Sequence, residues 1–308
     1  ALVAASMDWT VDQHCAWVWQ GGKRYQIPGT MANYRSDLPP GEGYLGTVTE
    51  SYHPVQNIDL AQFCTELAGE SQGDVRVETA GSIMGGRKVW FLLKANAINI
   101  GTAGDEIIPY VLVSNSHDGS GSLRVTPTTV RVVCSNTMHM VIPKTDSGQL
   151  ASAVMAYRHT GNVKERLDQC KAALASFKDA TKGTKDAADR LASVAATEDM
   201  RKDYFFAQYT ADFGAIKADD ERALGRAQTA YQSFTKRWDD EKAYHTGSMW
   251  GAFNAYSGLV QHDLKARGAD DVVRVERRQD SNLFGLGSRR TQAALQSAMT
   301  MAAAATAS

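Results

Sequence analysis

The sequence predicts an α+β fold: an antiparallel four-stranded β-meander packed against helices, followed by a mostly helical C-terminal half. Two changes of residue pattern carry this prediction. From Val75 to Val133, four runs rich in β-branched and aromatic residues follow one another across short breaks. From about Leu150 onward, Ala, Lys, Asp, Glu and Gln dominate and apolar residues recur at helical spacing. Three regions result: a mixed segment with hairpins and one helix over 1–70, the meander core over 71–150, and a helical region over 151–308 that continues the core's fold.

Each element has its own signal. WTVDQHCAWVWQGGKRYQI alternates apolar and polar residues around Gly21-Gly22 and predicts a hairpin. After the break DLPPGEGY, the run LGTVTESYHPVQN reads as a further strand. IDLAQFCTELAG sets Leu60, Phe63, Cys64 and Leu67 on one helix face, with Asn57 as N-cap and Gly69 as stop. The meander runs are VRVETAGSIM, RKVWFLLKANAINI, EIIPYVLVSNS and SLRVTPTTVRVV, separated by Gly85-Gly86, GTAGDE and HDGSG. Connections this short force antiparallel neighbours. Pro109 and Pro127 each mark an edge, a bulge or a strand end, because proline cannot donate to a ladder. In the helical region, Leu167, Cys170, Leu174 and Phe177 form one buried stripe, and Leu224, Ala227, Tyr231, Phe234 and Trp238 another. GTK, HTG and DDVVRVERRQDSNLFGLG are read as linkers, the last long, polar and mobile.

Composition narrows the function classes. With 33 basic against 34 acidic residues, no global positive field draws in nucleic acid or an anionic membrane, so any such binding rests on a local patch. Cys15, Cys64, Cys134 and Cys170 are widely spaced and form no CxxC pair, as expected of isolated thiols in a reducing compartment. No apolar run approaches the roughly 20 residues that span a bilayer, and no secretory signal pattern is present. A cytoplasmic protein without membrane contact is expected. The chain opens on ALVAASMDWTV without an initiator Met, as a piece lacking its own N-terminus would.

Motifs for chemistry are absent: there is no GxxxxGK[ST], no GxGxxG after a strand, no HExxH and no GxSxG. No two of the seven histidines stand three to five residues apart, and neither a metal nor a cofactor is expected. Cys134 closes an apolar run and reads as a small core residue rather than a nucleophile. In HDGSG the turn accounts for Asp118 and Gly119 and leaves His117 as a lone, exposed side chain. Above this background stand basic residues along the meander, Arg76, Arg87, Lys88, Lys94, Arg124 and Arg131, and then Arg158, interleaved with Trp90, Phe91 and Tyr110. Cations beside aromatic platforms suit single-stranded DNA, which needs phosphate neutralisation and stacking surfaces. Arg87, Lys88, Lys94, Arg124, Arg131 and Arg158 are therefore the candidate nucleic-acid contacts, against the plainer reading that they are solvent-side charges of half-buried strands.

At DEIIPYVLVSNSHDGSGSLRVTPTTVRVVCSNTM, followed by YRHTGNVKERL and later GSMWGAFNAYSGLVQH, the chain resembles the phage- and plasmid-like domain-of-unknown-function family carried on bacteriophages, prophages and conjugative plasmids. The resemblance runs from about MDWTV to the C-terminal helix. Family members usually begin with a WHGLG-like stretch ahead of the Asp-Trp-Thr segment, and that stretch is missing here. The resemblance implies a protein of a mobile genetic element, in the host cytoplasm if phage-encoded, and names no reaction. A meander followed by a helix is also similar to the core of phage strand-annealing recombinases such as Red-beta and RecT, an analogy of fold only. Together these readings predict a non-enzymatic nucleic-acid-binding protein, an oligomeric single-stranded DNA binding or annealing factor that forms a homo-oligomer. The alternative is a host-interaction or anti-defence protein. It would dock on a host protein through its helical half, with Trp250, Phe253 and Tyr256 as an anchor surface rather than core.

Overall fold

The computed structural model describes the chain apart from residues 1, 40, 72–73, 103, 132, 134–135, 144–149, 153, 160–162 and 308; for 141–143, 150–152 and 163–176 it describes the backbone alone. Cys134 and the stripe positions Leu167, Cys170 and Leu174 lie outside the described side chains. In chain order the elements are β1 (Val11–Gln20), β2 (Lys23–Arg35), β3 (Tyr44–Thr49), α1 (Asn57–Glu70), β4 (Val75–Ile83), β5 (Lys88–Ala95), β6 (Ile98–Ile100), β7 (Asp105–Ser116) and β8 (Leu123–Arg131). There follow β9 (Thr137–His139), β10 (Val141–Pro143), β11 (Leu150–Ser152), β12 (Met155–Tyr157), α2 (Val163–Ser193), α3 (Glu198–Phe213), α4 (Glu221–Asp240), α5 (Lys242–His245), α6 (Met249–Gly258), α7 (Asp271–Phe284) and α8 (Leu286–Ala307). The fold is α+β with a helical C-terminal half. Two compact units cut across the three sequence regions: one comprises Ala1–Asn96, Tyr110–Pro127 and Ala153–Lys178, the other Ala97–Pro109, Thr128–Ser152 and Asp179–Ser308.

In the first unit, Gly21 and Gly22 both take positive φ between β1 and β2, the conformation a two-residue hairpin demands. β3 pairs with β2 over Thr30–Tyr34. The N-cap of α1 is Gln56, not Asn57: Asp59 Oδ2 accepts from the Gln56 N–H at 3.3 Å, while the Asn57 amide turns to the Met7 and Trp9 carbonyls. Leu60, Phe63, Cys64 and Leu67 are buried as their spacing predicts, and α1 packs on β4 and β5. The sheet order β12-β8-β7-β5-β4 keeps the four predicted runs adjacent and antiparallel, but the meander is larger than four strands. β12 adds to it through Met155–Tyr157 on Leu123–Val125, where a helix was expected. The open ladder edge of β8 offers backbone partners that outweigh the helical composition of a three-residue segment.

In the second unit, Asp105–Ile107 of β7 pairs with β6, and Thr128–Val130 of β8 pairs with β9. The two prolines explain these changes of partner. Pro109 lies between the β6-paired and β5-paired parts of β7, and Pro127 between the β12-paired and β9-paired parts of β8. A residue without an N–H fits where the ladder is interrupted. In the same unit α3, α4 and α6 supply an aromatic core in which Phe205 meets Phe206, Tyr209, Tyr231, Phe234 and Tyr256. α6 is buried all round, so Trp250, Phe253 and Tyr256 are core and present no anchor surface.

Three further expectations are corrected. DDVVRVERRQDSNLFGLG is mostly α7, not a linker. It contains no Gly or Pro before Phe284, and the Asp270 carboxylate caps it by accepting from Val273 N–H at 2.8 Å. GTK lies inside α2, since one Gly in a long helix costs only about 1 kcal/mol. Leu224 is exposed on α4, whereas Ala227, Phe234 and Trp238 are buried.

The second unit also buries charge. Arg131 is only 2% exposed, which excludes it from the surface assigned to it. Its Nε donates to both oxygens of Asp105, at 3.0 and 2.7 Å; Asp105 Oδ2 also accepts from Trp250 Nε1 at 2.6 Å, and Arg131 Nη1 pairs with Glu241. Removing one member leaves a buried charge uncompensated. Arg131→Met is therefore expected to destabilise the protein by about 3–5 kcal/mol, measured by urea unfolding; a folded variant of unchanged stability would contradict this role.

Candidate anion site at the 117–122 loop

The β7–β8 connection is a six-residue loop, His117–Ser122, tied down at nearly every residue. Asp118 Oδ1 accepts from Ser116 Oγ at 2.5 Å and from Ser120 N–H at 2.9 Å, and Gly121 N–H donates back to Ser116 Oγ at 3.2 Å. Burial opposes the Asp118 charge, but the hydrogen bonds from Ser116 and Ser120 prevail and hold its carboxyl below the usual range. Gly119 has φ 78°, as the turn reading requires, and a Cβ there would stand 3.1 Å from Val48 Cγ1. Tyr52 OH donates to the Ser116 carbonyl at 2.6 Å, and Asn115 Nδ2 to the Val55 carbonyl at 3.2 Å.

His117 is not the exposed side chain expected of it: its exposure is 0%. Its N–H donates to the Arg87 carbonyl at 2.7 Å, its own carbonyl accepts from Asn33 Nδ2 at 2.7 Å, and its ring meets Trp9 edge to face. Because the Asn57 amide nitrogen is committed to two carbonyls, Asn57 Oδ1 faces His117 Nε2 at 3.0 Å, and Nε2 must carry the proton. The ring is neutral. Burial, and secondarily the nearby His159, push its pKa down to about 3.

Beside this loop a cleft of about 370 Å³ is lined by Thr49, Tyr52, Gly119–Ser122, Arg124, Arg158 and His159. Arg124 lies on β8, and Arg158 follows β12, whose Ala156 is the register partner of Arg124. Both arginines line the cleft. Arg124 Nε reaches Ser122 Oγ only at the limit of a hydrogen bond, 3.5 Å. Among the described residues, no carboxylate is paired with either arginine. His159 is 8% exposed and stacked on Tyr52 at 4.6 Å, and neither ring nitrogen makes a hydrogen bond of good geometry. Burial pushes its pKa down to about 4, against an opposing pull from the His53 backbone. The cleft thus holds two positive charges and an unsatisfied imidazole, while the neighbouring carboxylate is bound up in its own loop. Such a site fits an oxyanion.

The other predicted contacts do not converge on it. Arg87 is exposed at the β4–β5 turn, and Lys88 is half-buried with its charge felt by Asp118. Lys94 pairs with Glu78 at 2.8 Å, and Arg131 is buried in the second unit as described. The meander's aromatic residues are committed as well. Trp90 covers Gly81, whose Cβ would stand 2.7 Å from the indole; Phe91 is buried; Tyr110 is pushed up to about 12 by burial and by Glu78. Sequence reading missed Thr49, Tyr52 and His159. The one available signal was the RHTG motif, which contains Arg158 and His159 and lies against NSHDGS only in three dimensions. Among the described residues, no three His, Cys, Asp or Glu side chains converge as a metal site, and no helix is long and apolar enough to cross a membrane.

The family model "Domain of unknown function (DUF932)" matches residues 44–283 of this chain. The chain belongs to that family. No curated protein and no solved structure matches it. The DUF932 span contains every residue of the cleft, from Thr49 to His159, whereas the β1–β2 hairpin lies outside it.

The loop's packing and titration make its variants testable. His117→Ala leaves the buried Asn57 Oδ1 without its donor and opens a cavity, so a loss of about 2–4 kcal/mol is expected in chemical denaturation. Gly119→Val, forced into positive φ against Val48, should cost on the order of 1–3 kcal/mol. The folded pKa values of His117 and His159 lie below the unfolded value of about 6.5. Their contribution is complete above pH 6.5 and is lost as pH falls towards about 4 and then 3, because only the unfolded chain takes up those protons. The melting temperature should therefore drop between pH 7 and pH 4, and less steeply in a folded His117→Gln variant.

Proposed function

We propose that this chain is a non-enzymatic single-stranded DNA-binding protein that seats backbone phosphate between Arg124 and Arg158. The observation that carries the reading is the pair of arginines without an acidic partner among the described residues, sharing a polar cleft with an unsatisfied, buried His159. Each guanidinium presents a planar fork to phosphate oxygens, and Ser and Gly residues of the loop leave room for close approach. The resemblance to proteins of phages and plasmids, and the fold analogy with strand-annealing recombinases, support an annealing role in a homo-oligomer of a mobile element. Neutralising phosphates releases counterions, so affinity falls steeply with salt.

The test is fluorescence anisotropy of labelled oligo(dT) with the charge-reversed variant R124E/R158E. Its affinity is expected to fall on the order of 10- to 100-fold, with a log–log salt slope shallower by roughly one to two. A bound phosphate favours the protonated imidazole, whose pKa in the free protein is pushed down to about 4, so affinity should also rise as pH falls towards 4, and His159→Gln should flatten that rise. Wild-type affinity in R124E/R158E would refute the site.

A second reading, docking of a host protein on the helical unit, has its own support. A groove of about 1040 Å³ there is lined by Tyr209, Phe213, Ile216 and Leu264 and rimmed by Arg222 and Arg226, a match for an acidic segment with apolar anchors. Capture of a host protein after nuclease treatment, lost in R222E/R226E but kept in R124E/R158E, would favour it over the first.

A further inference from the structure

The aromatic platforms expected on the meander are elsewhere. In the β1–β2 hairpin every residue from Trp17 to Gly29 is exposed, and among them Trp19 is 72% and Trp17 47% open to solvent, with Tyr25 at 50%. These figures are far from those of the other tryptophans, since Trp9, Trp238 and Trp250 are buried and Trp90 is half-buried. The exposure has a structural origin. Pairing jumps from Cys15↔Met31 to Trp17↔Gln26, so Ala16 alone opposes Ile27–Thr30, a segment holding Pro28 and the positive-φ Gly29. Past this bulge the hairpin has no third strand among the described residues, because β3 pairs with β2 only from Thr30 on. It is a two-stranded arm.

Register sorts its side chains. Trp17, Trp19, Arg24 and Gln26 belong to cross-strand pairs of one face, and Val18, Gln20, Lys23 and Tyr25 to the other. The Arg24 guanidinium sits 4.4 Å over the Trp17 ring, which leaves Trp19 as an open indole next to a cation. Between Asp12 and Asp37 the chain has no carboxylate at all, although acids are as common as bases in the whole sequence. An arm that offers indoles and cations and excludes acids complements a polyanion carrying flat bases. A lipid surface suits it less, because both ladder edges of the arm are open and their unpaired N–H and C=O groups would enter hydrocarbon unsatisfied.

We infer that the β1–β2 arm is a base-stacking arm for single-stranded DNA, with Trp19 and Trp17 as its platforms. The inference rests on the DNA-binding reading above and adds a second, base-dependent contact to the phosphate cleft. Oligo(dT) and an abasic sugar-phosphate oligomer of equal length separate the two, since only the former can stack. Titrations would follow anisotropy and tryptophan fluorescence for the wild type, W17A/W19A and R124E/R158E, with circular dichroism as the fold control.

The wild type should bind oligo(dT) on the order of 10- to 100-fold more tightly than the abasic oligomer, with quenched fluorescence. W17A/W19A should lose that preference while keeping its affinity for the abasic oligomer, and W17F/W19F should regain part of it. If the wild type binds both oligomers equally, or W17A/W19A keeps the oligo(dT) preference, the arm inference is overturned while the cleft reading stands. If the wild type binds neither, both fall. A W17A/W19A protein whose only change is a smaller sedimenting species would instead make the arm a contact between copies of the chain, and would also overturn the inference.

Discussion

The first unit depends on a neutral histidine held against one asparagine. Asn57, at the first turn of α1, donates to the carbonyls of Met7 and Trp9, and this leaves its oxygen to receive Nε2–H of His117. One side-chain amide thereby ties the N-terminal segment and α1 to the end of β7. A charged imidazole could not occupy the site, because Asn57 offers one acceptor and burial disfavours the cation. The backbone of His117 extends the tie to Arg87 and Asn33. What this holds in place is the Gly119–Ser122 segment, which forms one wall of the cleft. The NSHDGS stretch is thus a clamp, and the cleft lies beside it.

The basic residues divide according to what solvates them. Arg131 has exchanged water for Asp105 and Glu241, and a cation so enclosed contributes to the fold and has no remaining capacity for an outside anion. Lys94 is compensated by Glu78. Arg124 and Arg158 have no such partner among the described residues, and Asp118, the carboxylate closest in sequence to Arg124, is turned into its own loop by Ser116 and Ser120. A positive local field therefore persists in a chain with nearly equal numbers of acids and bases. Local arrangement, and not net charge, sets where an anion is attracted.

Bulges and prolines distribute the aromatic residues. On the meander, regular alternation turns Phe91 inward and sets Trp90 against Gly81, so these rings serve packing. On the β1–β2 hairpin, the irregularity at Ala16 and Pro28-Gly29 ends the pairing with a third strand, and the same kind of alternation then leaves both faces in water. Pro109 and Pro127 act similarly in β7 and β8, where each marks the point at which a long strand changes partner.

The sequence by itself determined the elements whose cause is local. The Gly21-Gly22 hairpin, the buried face of α1, the order of the four meander runs and the positive φ of Gly119 all follow from periodicity or from the steric freedom of glycine. Local pattern also failed where tertiary context prevailed. β12 is strand because β8 offers it a ladder, and α7 is helix because a capped segment without breakers folds despite its polarity. The fate of each polar side chain was decided by the tertiary structure alone. His117, Arg131 and Arg124 are each a polar residue at or near the end of a β run, indistinguishable by spacing. One is buried by a partner sixty residues away in α1, one by Glu241 in the helical half, and one by neither. Burial and charge pairing are sums over neighbours distant in sequence, and no local pattern encodes which neighbours those are.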